Sequence, residues 1–224
     1  MIHVSRLFGA LAIAAALCAA AAPAQADPQS LLASADSTVL AMRSDPTFGP
    51  SRDLLRNARA VLIVPQLIKG GFIFGAEGGD GVMLARIGRG RWSEPAFYTI
   101  GSASFGLQIG AEAAQLVMFI MSDRALRAVE RDKFKFGGEA GLTVITVGAN
   151  AQGATSGNLT GDIIVWASSK GAYGGLTLEG SVIAPKTDWN ASFYGRPLNV
   201  PQILADEGRN PAAAPLRRDL SATR

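Results

Sequence analysis

Apolar residues recur at helical spacing near the start of the chain. Leu32, Ala35, Val39 and Met42 predict a helix over Pro28 to Arg43, stopped by Asp45-Pro46. A second short helix is expected from Ser51 to about Arg59, with Ser51 as its N-cap. From Ala60 the period changes. VLIVP, FIFGAE, GVMLARI, FGLQIGAE, LVMFIM, LTVITVGA, DIIVWAS and LTLEGSVI are short runs, β-branched or aromatic and bounded by Gly, which read as strands. Gly79-Asp80-Gly81 reads as a hairpin turn between two of them. Ser122 to Arg131 interrupts the strands with a helix, with Asp123 near its start and Leu126 and Val129 on one face. DWNASFYG, after Pro185, reads as a helical turn. From Gly208 the tail has little to bury and is expected to be disordered.

The first 26 residues fall outside this pattern. Arg6 supplies a positive start, LFGALAIAAALCAAAA is a short apolar run, and Ala24-Gln25-Ala26 fits a small-residue cleavage site. Together they read as a secretory signal peptide over 1–26. A lipoprotein anchor at Cys18 is not expected, because Leu17 precedes it where a small residue is wanted. The organisation that follows is a signal peptide, a single domain over 27–207, and a tail over 208–224. Within the domain, 28–59 is a helical lead-in and 60–195 a β-rich core. The expected location is the periplasm or the cell exterior.

Cleavage there narrows the chemistry. The sequence has one His, His3, and one Cys, Cys18, and both would leave with the signal peptide. His-based acid–base catalysis, Cys nucleophiles, thiolate or imidazole metal sites and disulfides would then be excluded. No metal or other cofactor is expected. Net charge is +3 for the whole chain, and 26 of its 224 residues are Gly, which suits tight turns and close backbone packing. The densest Gly stretch, Gly70 to Gly81, has neither the Lys-Ser/Thr ending of a phosphate loop nor a following helix. No second apolar run reaches the ~18 residues of a membrane span.

Two patterns remain as candidate sites. Gly75-Ala76-Glu77, Gly110-Ala111-Glu112 and Gly137-Gly138-Glu139 each precede a strand-like run. They are either bends at which Glu reaches water or a gathering of Glu77, Glu112 and Glu139 into one polar or cation-binding cluster. A carboxylate hydrolase would need two of the three in one cleft. The second pattern is basic. Arg52, Arg56 and Arg59 fall within about 60° on a helix, with Leu54, Leu55 and Ala58 in another sector. Arg86, Arg89 and Arg91 surround two glycines ahead of Trp92, and Arg131, Lys133 and Lys135 interleave with Phe134 and Phe136. Such clusters serve anionic surfaces, or are ordinary solvated charges. Trp92, Trp166 and Trp189 read as packing residues. Asn158-Leu159-Thr160 and Asn190-Ala191-Ser192 fit the glycosylation pattern by chance.

From Ala58 to Gly195 the chain resembles the SYLF domain, a lipid-binding domain also described as a Ysc-type actin-binding domain. The resemblance is carried by ARAVLIVPQLIKGGFIFGAEGGDGVMLAR, GRWSEPAFYTIGSASFGLQIGAEAAQLVMFIMS, FKFGGEAGLTV and KGAYGGLTLEGSVI, and ends at FYG. It implies a non-enzymatic binding protein. The expected fold is α+β: a curved, Gly-rich antiparallel sheet or partly closed barrel with N-terminal helices and one inserted helix. The expected partner is an anionic lipid or membrane surface, met by Arg52, Arg56 and Arg59 with help from Arg89, Arg91, Lys133 or Lys135. An envelope protein is the alternative. Nucleic acid is not expected, and neither is actin, which an exported protein would not meet.

Overall fold

The computed structural model describes residues 27–45, 51–71, 74–88, 90–105, 110–138, 142–148, 161–171 and 178–222. The expected signal peptide lies outside them. Helix α1 (Pro28–Ser44) starts on a reciprocal cap. The Asp27 carboxylate accepts from the N–H groups of Gln29 (2.8 Å) and Ser30 (3.0 Å), and the Ser30 hydroxyl accepts from Asp27 N–H (3.2 Å). These backbone donors hold the Asp27 carboxyl below its ordinary pKa.

Helix α2 (Ser51–Asn57) leads into the sheet, with Ser51 as its first turn rather than its cap. It ends before Arg59 because the sheet captures that backbone: Arg59 N–H donates to Ile120 at 2.7 Å and its carbonyl accepts from Arg86 N–H at 2.7 Å.

The sheet elements follow as β1 (Ala60–Gly71), β2 (Phe74–Ile87), β3 (Arg91–Trp92), β4 (Ala96–Phe105) and β5 (Gly110–Ile120). After helix α3 (Asp123–Val129) come β6 (Phe134–Lys135), β7 (Val144–Gly148), β8 (Ile163–Gly171) and β9 (Val182–Pro185). Helices α4 (Thr187–Tyr194) and α5 (Val200–Leu204), a 3-10 turn (Pro211–Ala213) and helix α6 (Ala214–Ser221) close the chain. The spatial order is β6-β9-β4-β2-β1-β5-β8-β7, with β3 paired to β2. Every pairing is antiparallel except β7 with β8. The result is a strongly curled half-barrel with helices, the expected α+β fold.

Both faces of the sheet are covered along half its length. Leu62, Val64, Leu67, Met83, Tyr98, Leu116, Met118 and Val165 pack under α3 and α5. Val61, Ile63, Val82, Leu84, Phe97, Val117, Phe119 and Trp166 pack under α1, α2 and α6. Burial on both faces explains why the strands read as unbroken apolar runs rather than as alternation.

Two expectations about the strands fail. The run VLIVP does not end at Pro65. β1 continues to Gly71 through a bulge around Pro65, at Val64-Pro65 against β2 and Pro65-Gln66 against β5, one extra residue relative to each. Pro65 has no N–H to donate, and the bulge relieves the ladder of needing one. Gly79-Asp80-Gly81 is accordingly no turn but mid-strand, opposite the bulge. A Cβ at Gly79 would sit 2.4 Å from the Gln66 carbonyl oxygen, and one at Gly81 2.9 Å from Val64. Close backbone approach, not chain reversal, requires glycine there.

The tail expected to be disordered is in part helical: α6 buries Leu216 and Leu220, four residues apart, against the α1 layer. Among the described residues, no helix is long and apolar enough to cross a membrane.

Candidate functional site

Arg59, Arg86 and Arg91 lie at the end of the sheet where β1 begins, with Arg52 and Arg56 on the helix leading into it, whereas register puts Lys135 level with Ile68 in the other half of β1. Arg52 and Arg56 are exposed on α2, whose Leu54 and Leu55 are buried. Arg59 is exposed but lies beyond the helix, so the three arginines do not form one helical face. Its guanidinium reaches Asp123 at 3.1 Å, tying α2 to the start of α3. Arg56 pairs with Asp53 at 2.6 Å. Among the described residues, Arg52 has no ion-pair partner.

Helix α3 brings two arginines that the strand-centred reading missed, Arg124 and Arg127, exposed three residues apart. Arg124 pairs with Asp162 at 2.8 Å. The Asp162 carboxyl is held below its ordinary pKa, first by the Ser122 hydroxyl at 2.6 Å, then by Thr143 N–H at 3.1 Å and by Arg124. Arg131, Lys133 and Lys135 continue from α3, exposed, while Phe134 and Phe136 turn inward with their rings edge-to-face at 5.0 Å.

The Arg86 cluster divides. Arg86 is structural: its guanidinium donates to the carbonyls of Leu55 and Ala58, closing the end of α2, and lies 4.3 Å from the Trp92 ring centroid. Burial pushes its pKa below the usual arginine value. Arg91 is exposed on β3, and Arg89 lies outside the described residues. Trp92 and Trp166 are buried as expected. Trp189 is half-buried with the Lys186 ammonium 3.4 Å above its ring.

Glu77 and Glu112 lie at the opposite end of the strands. Lys69 on β1 is the register partner of both Glu77 on β2 and Glu112 on β5. Residues directly across from one another share a face, so two of the three acids fall in one row with a lysine between them. They are two strands, roughly 9–10 Å, apart. Glu139 lies outside the described residues. Glu77 is only 7% exposed, and its Oε1 accepts a hydrogen bond from the buried Ser181 hydroxyl. Lys69 and Ser181 carried no signal on their own, since only strand register brings them to Glu77.

Comparison with known proteins fits this fold to a family. Residues 101–223, more than half the chain, match the model for Ysc84, a "Las17-binding protein actin regulator". SH3 domain-containing YSC84-like protein 1 of Rattus norvegicus is 32% identical over 154 residues, 68% of this chain and 45% of that protein. The Homo sapiens protein of that name is 30% identical over the same shares. Protein YSC84 of Saccharomyces cerevisiae is 31% identical over 173 residues, 75% of this chain and 37% of the yeast protein. The chain thus spans less than half the length of these relatives, and the description of the matching family is that of a binding protein. A family described as an actin regulator overturns the expectation that actin falls outside the range of partners, since that expectation rested only on export of the chain. On the strength of the family match over more than half the chain and of these identities, the chain belongs to the Ysc84 family.

Proposed function

We propose that this chain is a non-enzymatic binding module that docks peripherally on anionic phospholipid through the arginine-rich end of its sheet, in the envelope of the cell that exports it. The observation that carries the reading is the 3.1 Å Arg59–Asp123 pair. It joins α2 and α3, distant in sequence, into one surface with Arg52, Arg56, Arg59, Arg124 and Arg127. Arg91, Lys133 and Lys135 are further exposed cations on the same domain. Asp53, Asp123 and Asp162 offset part of the charge. Each basic residue left near an anionic surface contributes about 1 kcal/mol, screened by salt.

Vesicle flotation across a salt series tests it, comparing neutral with anionic lipid. Binding should be selective for anionic vesicles and fall as salt rises. Replacing Arg52, Arg56 and Arg127 together with Ala should weaken it on the order of 100-fold, from three such contributions. Equal binding to both lipids, or none to either, overturns the reading.

The second reading is an assembly module that binds a protein. It is favoured by a bare stretch of the α1 face, where Ile68 is 54% exposed. Alongside lies a groove of about 370 Å³ lined by Ser34, Ser37, Pro65, Gln66, Gln115 and Ser168. Because the family is described as an actin regulator, actin filaments are the first protein to offer. Co-sedimentation with filaments, together with a pull-down from envelope extract, separates this reading from the lipid one.

A further inference from the structure

Along β1, β5 and β8 the sheet face under α1 turns from apolar to polar. Ile63, Val117 and Trp166 are aligned across the three strands and buried in the α1 layer. Two residues further along β5 and β8, on the same face, Gln115 and Ser168 stand directly opposite one another, and Gln66 of the bulge lies against Gln115. Ser34 and Ser37, three residues apart on α1, line the same groove of about 370 Å³. Pro65, Ala113 and Ala114 complete its lining.

The fold leaves these polar groups unused. Among the described residues, the side chains of Ser34, Gln66, Gln115 and Ser168 make no hydrogen bond. The Ser37 hydroxyl donates to the Ala33 carbonyl at 3.1 Å, and its oxygen can still accept. No charged side chain among the described residues lines the groove. Asp80, the register partner of Gln66 on β2, is held by Lys186 at 3.0 Å.

This chemistry selects among ligands. An ion would shed water without meeting a counter-charge, and an apolar molecule would strip water from the polar side chains without replacing it. A peptide backbone joins a sheet at an edge, through unpaired strand N–H and C=O groups, whereas β1, β5 and β8 each have a neighbouring strand on both sides. Serine hydroxyls and glutamine amides both donate and accept. So do the hydroxyls of a sugar, whose C–H face can lie on Pro65 and the two alanines. The volume agrees: at about 30 Å³ per water the groove holds about twelve waters, and a hexose has about twelve non-hydrogen atoms.

We infer that this groove binds a neutral hexose unit, with Gln66, Gln115 and Ser168 meeting its hydroxyls from the sheet and Ser34 and Ser37 from α1. The inference goes beyond both readings above: it concerns the groove alone, needs no membrane, and leaves Ile68 to a protein partner.

The test is a titration of the full ¹⁵N-labelled chain, without vesicles, with the methyl glycosides of glucose, galactose and mannose in turn. The side-chain amide resonances of Gln66 and Gln115 should move saturably with at least one of them. The uronate of that sugar, similar in shape but negative, should bind at least about tenfold more weakly. Gln115→Met keeps the length of the side chain and removes its hydrogen bonds, and should weaken binding about tenfold, read on Gln66. If that variant does not fold, Ser168→Ala removes a single hydroxyl and should weaken binding about threefold. No saturable shift with any of the three hexoses, a uronate that binds as tightly, or an affinity unchanged in the variant overturns the inference. So does a saturable shift by an uncharged Gly-Ser peptide in place of the sugars, which assigns the groove to the protein reading.

The linear trimer of the hexose that binds, compared at equal sugar concentration, identifies the source. Tighter binding of the trimer assigns a glycan chain, and equal binding a free sugar. An unchanged hexose response in the Arg52, Arg56 and Arg127 variant separates the groove from the arginine surface, so that failure of the lipid reading leaves this inference standing.

Discussion

Asn190 is buried on α4. Its Oδ1 accepts from the Phe97 N–H at 2.8 Å and its Nδ2 donates to the Phe97 carbonyl at 3.3 Å. β9 ends at Pro185, and the amide takes over as partner of β4 just beyond it, holding α4 against the sheet. Asn190→Ala would leave a buried backbone N–H without an acceptor. We expect a loss of about 2–3 kcal/mol in urea unfolding. Asn190→Asp keeps the acceptor but sets a buried carboxylate oxygen against the Phe97 carbonyl, and should lose at least as much at neutral pH. In the sequence this residue spells only a glycosylation pattern. Nothing local announces an amide turned inward, because its partner is 93 residues away. Arg86 is similar. The sequence shows a basic residue near glycines and an aromatic, and only the fold reveals that it closes α2. Buried apolar residues are the opposite case: Leu54, Leu55, Val61 and Val117 were legible because side-chain type alone decides their fate.

Helix α3 depends on a residue outside it. Asp162, just ahead of β8, accepts from the N-cap Ser122, from Arg124 and from the Thr143 backbone, so one carboxylate fastens α3 and the β7 lead-in to β8. Its pKa is depressed in the fold. That contribution is therefore fully present above the ordinary carboxylate pKa and is lost as pH falls through the lower folded value. Asp162→Asn should lower the urea midpoint at neutral pH, and the gap to the unaltered protein should narrow in acid, below about pH 4. A gap unchanged between pH 7 and pH 3 would contradict this. Element type was largely legible, since strand runs and helical spacing report burial directly. Element ends were less so. Gly79-Asp80-Gly81 carries the composition of a turn, and only the neighbouring strand shows that the glycines serve a close approach. The length of α2 was misjudged because its end is set by pairing of Arg59 with β5, which no local pattern encodes.

Over the whole molecule, the C-terminal segment is a strap rather than a tail. The Arg217 guanidinium donates to the Trp92 carbonyl at 3.0 Å and pairs with the buried Glu94 at 2.5 Å. Arg43 on α1 donates to the Asp219 carbonyl at 3.1 Å. Leu216→Ala should cost about 2–4 kcal/mol by opening a cavity under α6, measured by chemical unfolding. A change below ~0.5 kcal/mol would mean that α6 does not pack in solution. The sequence hid the strap because its two buried leucines stand among alanines, prolines and arginines, too few for an amphipathic pattern to stand out. The glutamate row was half visible. The echo of Gly-x-Glu could be read, but its alignment could not, because that alignment depends on the extra residue around Pro65. Ala60, Leu62 and Val64 face one way before it, and Leu67, Lys69 and Gly71 face that same way after it. Were the same residues to run on here as a regular strand without the bulge, Ile68 would turn inward beside Glu77 and Lys69 would turn out to water. A single surplus residue thus inverts the parity of the strand, and decides whether this end of the half-barrel is lined by an ammonium or by an oily side chain.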